Sequence, residues 1–240
     1  MTSVFQQPAY QQLRQIYAEA TRRPVFWIGA GLSRPAGLPL WSELREHLEH
    51  AADRKLVTFG DADRDRYQRE LSNIKQETDF WVAFERLKRF LKKTSFKEEI
   101  RTALQPAESN PPPALYERIW DLNPQGVLTL NLDRYPSRAY AEKQSKILNE
   151  FSGIDIGKYL HLFGHKNPFV ANLHGILENN ATWVLTKSEI NDRLNDKAYR
   201  QSIQNILMTH MVIFVGITTA QASPRIRALR RRSGTFAAGG

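Results

Sequence analysis

Apolar residues in this chain follow two rhythms. Short, mostly apolar runs occur at Val25 to Ile28, Gly126 to Leu130, Phe169 to Leu173 and Met211 to Val215. Runs of that length predict strands, the first two of them buried. Ala181 to Leu185 is a candidate for a further strand. Elsewhere the apolar positions return every three or four residues, the mark of helices with one buried face. Leu13, Ile16, Tyr17 and Ala20 define a first helix, and Pro24 marks the entry to the first strand. Trp41 to Lys55, Ala114 to Leu122 and Ser137 to Asn149 read the same way.

Asp61 to Lys93 is highly charged and is expected to be helical in at least two pieces. Within it Phe80, Phe84, Leu87 and Leu91 form a stripe, with Glu85, Arg86, Lys88 and Arg89 opposite. Such a stripe is core packing. Ser95 with Glu98, and Thr186 with Glu189, have capping-box spacing. Asn110 followed by three prolines is a stiff break. Strands separated by long helical patterns imply an α/β fold, a Rossmann-like and mostly parallel sheet with helices on both faces. The expected organisation is one domain over 1–218, with a helical insertion at about 56–110. A basic tail over 219–240 is expected to be flexible or truncated.

Composition narrows the classes. At 240 residues the chain can bury a proper core. No apolar run approaches a membrane span, and the polar stretch before Leu13 lacks a secretory layout, so a cytoplasmic protein is expected. Zero cysteines exclude disulfides and thiolate metal sites. The net charge of +9 suggests nucleic acid until its location is considered. Seven of those charges belong to Lys197, Arg200, Arg225, Arg227, Arg230, Arg231 and Arg232, in a segment without an acid, so the rest carries +2. A basic tail is more often a solvated end, and direct nucleic-acid binding is not expected.

The chemistry gathers where strands end, because ligands of doubly wound sheets bind beyond their carboxyl ends. The first strand stops in Gly29-Ala30-Gly31-Leu32-Ser33. Glycines there let a bound group approach the backbone, and the amides can point at an anion, although a plain tight turn would look similar. The loop lacks the usual third glycine of the dinucleotide fingerprint, having Arg34-Pro35 and a delayed Gly37, and no Gly-Lys-Ser/Thr closes it as a P-loop. The second strand ends in Thr129-Leu130-Asn131-Leu132-Asp133, the third in His174-Gly175 and the last in Gly216-Ile217-Thr218. Each has a plainer reading. Asn131 could cap a turn, Asp133 could pair with Arg134 or Arg138, and His174 could be a satisfied structural histidine. His161 and His165 have helical metal-site spacing, but Gly164 and Pro168 break a helix there, so no metal site is expected.

Gly29 to Ser33 followed by Ala36-Gly37-Leu38-Pro39 resembles the first signature of the sirtuin family. Thr129, Asn131 and Asp133 resemble its Thr-x-Asn-x-Asp element, and His174-Gly175 its catalytic His-Gly. Gly216 to Thr218 resembles its turn against the adenine ribose. The resemblance implies NAD as the bound nucleotide. Gly29, Ala30, Gly31, Leu32, Ser33, Thr129, Gly216 and Thr218 would bind it, and Asn131, His174 and Asp133 would act on it.

The departures point to the reaction. Leu40-Trp41-Ser42 stands where lysine deacylases of the family carry Asp-Phe-Arg, and Leu130 replaces their usual Gln. Their four-cysteine zinc module cannot exist here. Pro39, Trp41 and Leu44 resemble the sirtuin-like domains of prokaryotic antiphage systems, which hydrolyse NAD. That resemblance implies an NAD glycohydrolase releasing nicotinamide and ADP-ribose, the effector of abortive infection. It also implies control by homo-oligomerisation or by a separate ATPase or Argonaute-type partner. The alternatives are a deacylase or ADP-ribosyl transferase, and, from another class, a nucleotide-sensing or nucleic-acid-binding module with Arg225 to Arg232 as its arm.

Overall fold

The computed structural model describes residues 3–21, 23–144, 148–158 and 167–217. Thr218, His161, His165 and the tail over 219–240 lie outside the described residues.

Five strands form one sheet: β1 Val25–Ile28, β2 Gly126–Thr129, β3 Asn149–Ser152, β4 Phe169–Asn172 and β5 Val212–Val215. Their order is β3-β4-β2-β1-β5, and every pairing is parallel. The central strands β1, β2 and β4 are buried along their whole length, in keeping with their largely apolar sequences. Side chains alternate between two cores. Phe26, Ile28, Val127 and Val170 face one, while Val25, Trp27, Leu128 and Ala171 face the other.

The first core is covered by α2 Trp41–Leu56, α4 Phe80–Leu91, α5 Lys93–Leu104, α7 Ala114–Asp121 and α8 Tyr135–Gln144. The second is covered by α10 Lys197–Thr209, through Ile203 and Ile206. The remaining helices are α1 Pro8–Glu19, α3 Asp61–Lys75, the short α6 Pro106–Ser109 and α9 Lys187–Asn195. The expected Rossmann-like α/β architecture is therefore the one observed.

Helix α4 turns its stripe inward: Phe84 and Leu87 are fully buried. Burial of each such side chain contributes about 1.5–3 kcal/mol. Asp79 caps its start, accepting from the Trp81 and Val82 amides at 2.9 and 3.4 Å. Three polar contacts tie α4 to the start of α9. Lys187 Nζ meets Asp79 Oδ2 and Lys88 Nζ meets Glu189 Oε1, each at 2.5 Å, and the Ser188 amide donates to Glu85 Oε2 at 2.9 Å.

Three local expectations need correction. Ser95 caps nothing, because α5 starts two residues earlier, after Lys92 in a left-handed conformation (φ 68°). Ala181 to Leu185 is not a strand. Asn180–Thr182 is a 3-10 turn, and Trp183, Val184 and Leu185 are a buried apolar loop. Residues 137–149 are not one helix: α8 ends at Gln144, and Asn149 opens β3, an edge strand with one buried residue. The Thr186–Glu189 capping box does form, with the Leu185 and Thr186 amides donating to Glu189 Oε2 at 2.8 and 3.0 Å.

Candidate active site

Because all five strands run parallel, their carboxyl ends share one edge of the sheet, and the segments after them meet there. Ladder-like bonds continue past the strand ends and hold those segments. Gly29 N donates to Val215 O (3.1 Å), Leu130 N to Ile28 O (3.2 Å), Leu173 N to Thr129 O (2.8 Å) and Leu177 N to Leu132 O (2.8 Å).

After β1 the chain makes two 3-10 turns, Ala30–Leu32 and Arg34–Ala36, before α2 begins. The amides of Leu32 and Ser33 donate back to Gly29 O and Ala30 O, each at 3.1 Å, and Gly31 N donates to Gly216 O at 3.3 Å. This turn is therefore internally bonded. Gly31 is its exposed point, and an added Cβ would lie 3.2 Å from Gly216 O. Gly216 itself has φ +66°, which favours glycine. Two glycines thus let the ends of β1 and β5 touch.

The polar centre forms around Ser33, which is 1% exposed. Its Oγ lies 2.8 Å from Asp133 Oδ2, 2.9 Å from Asn131 Nδ2 and 2.7 Å from Tyr116 Oη. Ser33, expected at the nucleotide phosphates, here turns its hydroxyl inward. The Asn131 side chain is oriented by Gly29 O, which can only accept, so the atom 3.3 Å from it is the Nδ2 donor. Asn131 Oδ1 is left buried with no hydrogen-bond partner among the described residues. An unpaired buried acceptor costs about 1–3 kcal/mol, and a ligand hydroxyl or a water would satisfy it. Thr129 is fully buried, and its Oγ1 accepts from Asn131 N at 3.0 Å, so it sets the loop that carries Asn131.

Asp133 pairs with neither neighbouring arginine. Arg134 bonds Glu150, and Arg138 donates to Ala107 O and Asn110 O at 2.8 and 3.0 Å. Besides Ser33, Asp133 accepts from Tyr135 N through Oδ1 at 3.1 Å, so it also caps the start of α8. Burial raises its pKa to about 6, against the opposing pull of the Ser33, Tyr135 and Asn131 hydrogen bonds. Asp133 stands between two cavities. One, of about 30 Å³, is lined by Ala30, Ser33, Trp41 and Asn131 among others, room for little more than a water. The other, of about 290 Å³, is lined by Glu108, Arg134, Arg138, Leu177 and Glu178 among others.

His174 joins this centre through Trp41, which lines the smaller cavity and lies 5.5 Å from the imidazole, ring to ring. Trp81 stacks on the same imidazole at 4.9 Å and 22°. Nδ1 of His174 bonds the carbonyl of Val184, and the Val184 amide donates to the His174 carbonyl at 3.1 Å. The buried loop mistaken for a strand is thus the clamp on this histidine. A carbonyl only accepts, so Nδ1 carries the proton and Nε2 is the basic atom of the neutral ring. Burial lowers the pKa to about 4, so the ring is neutral at pH 7. Gly175 follows with φ +92°, and a Cβ there would lie 2.4 Å from Thr182 O. The glycine after the histidine is a steric requirement.

The structure brings Ser33, Asn131 and Asp133 into one hydrogen-bonded group, sets Gly31 against Gly216, and places His174 across Trp41. Tyr116 and Trp81 were not anticipated at the site, and Trp41 was singled out only in the segment after the glycine turn. Tyr116 offered one signal, a phenol on the otherwise apolar buried face of α7. Among the described residues, no group of three or more His, Cys, Asp or Glu is gathered to hold a metal.

A parallel Rossmann-like sheet with a buried polar group beyond its carboxyl ends defines a doubly wound α/β domain with that group where such domains bind ligands. Within that class, residues 125–235 match the family model described as the SIR2-like domain, a family of NAD-dependent enzymes. The matched span takes in Thr129, Asn131, Asp133, His174 and Gly216, while the Gly29–Ser33 turn precedes it and reaches the site through the β1 pairings. No curated protein matches the chain.

Proposed function

We propose that the protein is an NAD glycohydrolase, which cleaves NAD to nicotinamide and ADP-ribose and depletes it in the cytoplasm during defence against phage. The observation that carries this reading is the unpaired Asn131 Oδ1, held between Asp133 and the Gly29–Ser33 turn. Asn131 would receive a ribose hydroxyl or the attacking water. The water oxygen attacks C1′ of the nicotinamide ribose, and the C1′–N bond breaks with its electron pair passing to the ring nitrogen. The water's proton passes to Nε2 of His174, leaving neutral nicotinamide, ADP-ribose and an imidazolium. The carboxylate of Asp133 would stabilise positive charge developing at the ribose.

The internally bonded turn serves in this reading as a floor for the phosphates, exposed at Gly31, with Gly216 beside it. Trp41 favours hydrolysis over acyl transfer. It stands where deacylases of the family carry Asp-Phe-Arg, and here it packs against His174.

The test is incubation of the purified protein with NAD alone, with products separated by chromatography. Nicotinamide and ADP-ribose are expected without any peptide, and both Asn131→Ala and His174→Ala should lower turnover by about 10²–10⁴-fold with the fold intact. Turnover only in the presence of an acyl-peptide would make the protein a deacylase. Wild-type turnover in either variant would overturn the assigned roles.

A further inference from the structure

Tyr116 lies on α7 with its side chain buried (1% exposed), and its hydroxyl reaches the centre of the site. Oη is 2.7 Å from Ser33 Oγ and 3.4 Å from Asn131 Nδ2. The donors around Ser33 fix the direction of each bond while Asp133 is ionised. A carboxylate only accepts, so Ser33 donates its one proton to Asp133 Oδ2. Asn131 Nδ2 only donates, so Ser33 accepts there. The contact with Tyr116 must then run from the phenol to Ser33, which leaves the serine saturated, one bond given and two received.

Protonation of Asp133 would reverse this chain. Oδ1 already accepts from Tyr135 N, so the proton would sit on Oδ2 and face Ser33. Ser33 would then have to turn its proton toward Tyr116, which would lose its acceptor. The ionised carboxylate is the state in which every hydroxyl proton of the chain has a partner.

We propose that Tyr116 is a positioning residue of the NAD-cleaving site: donating through Ser33, it keeps Asp133 an acceptor and leaves the Asn131 carbonyl oxygen free for substrate. The proposal rests on the NAD-cleaving reading. The other ionisable groups around Asp133 are Tyr135 and, across the larger cavity, Glu108, Arg134, Arg138 and Glu178. Arg134 is engaged by Glu150, and Arg138 by backbone carbonyls. The hydrogen-bonded route from Tyr116 through Ser33 is thus separate from the charges lining that cavity.

Tyr116→Phe removes one oxygen and keeps the ring against Tyr135 (5.9 Å). Two measurements test it in the full chain: NAD turnover from pH 5 to 8, and titration of the ¹³C-labelled Asp133 carboxyl by NMR. The expected result is a kcat about 10-fold lower, the worth of one hydrogen bond, with KM nearly unchanged. The Asp133 titration and the acid limb of the profile should rise together by about one pH unit. Ser33→Ala removes the direct bond to Asp133 and should move the titration further in the same direction, and in that background Tyr116→Phe should add no further shift. An Asp133 titration unmoved in Tyr116→Phe overturns the proposal whatever the turnover. A moved titration in a protein that does not cleave NAD overturns the functional reading and leaves the hydrogen-bond chain standing.

Discussion

Asp133 and His174 are both buried at the site, and burial displaces their proton affinities in opposite senses. Asp133 is raised from 3.8 to about 6, so its contribution to stability is fully present below pH 3.8 and is lost as pH rises through about 6. His174 is lowered from 6.5 to about 4, so its contribution is present above pH 6.5 and is lost as pH falls through about 4. Each is worth roughly 3 kcal/mol at 1.36 kcal/mol per pH unit, and the two windows overlap. In the wild-type protein they offset each other between pH 4 and 6. Single variants should separate them in urea denaturation. Asp133→Asn leaves His174 unopposed, so stability should fall steeply from pH 6.5 to 4. His174→Gln leaves Asp133 unopposed, so stability should rise as pH falls from 6 to 4. Flat profiles in both variants would mean that neither group is displaced as described.

At the scale of elements, α4 does more than fill the core. It lays Trp81 on the imidazole of His174 and is tied to α9 by Lys187–Asp79 and Lys88–Glu189. Trp81→Ala should cost about 3–5 kcal/mol of stability through the lost packing. By rewetting the imidazole it should also move the His174 titration up from about 4 toward 6.5, which histidine proton NMR reads directly. An unmoved titration would mean that other groups keep the ring dry. How far such elements are legible in the sequence follows from their burial. The strands β1, β2 and β4 announce themselves because both their faces are covered, leaving short runs that are apolar but for Thr129 and Asn172. β3 does not, because Phe151 is the one buried residue of an edge strand otherwise made of Asn149, Glu150 and Ser152. Trp183 to Leu185 misleads for the converse reason, since a loop buried as a clamp on His174 is as apolar as a strand. Asn131, Asp133 and His174 stand beside the strand ends in sequence and could be found there. Tyr116 shows in the sequence only as a phenol on the buried side of α7, because its partner Ser33 lies 83 residues away.

For the molecule as a whole, none of the described helices is long and apolar enough to cross a membrane. The space beside Asn131 is about 30 Å³, and Trp41 and Trp81 lie over His174. We infer that this site is held in check, since free hydrolysis of NAD would harm the cell that makes the protein. Control would come from self-association or from a separate partner such as an ATPase or Argonaute-type protein. Specific activity should therefore rise with protein concentration or on addition of that partner, as read by nicotinamide release alongside light scattering. Full activity in a dilute monomer would refute this inference.

The central place of β1 has a consequence for the chain as it is made. Val25 pairs with Gly126 on one edge and with Val212 on the other, so one edge waits for about 190 further residues. At synthesis rates of about 5–20 residues per second, that wait is roughly 10–40 s on the ribosome. Throughout it a strand of Val25, Phe26, Trp27 and Ile28, uncharged and rich in β-forming residues, offers an open edge to any neighbouring chain. The strand that carries the glycine turn to the site is thus also the segment of the nascent chain in greatest need of shielding.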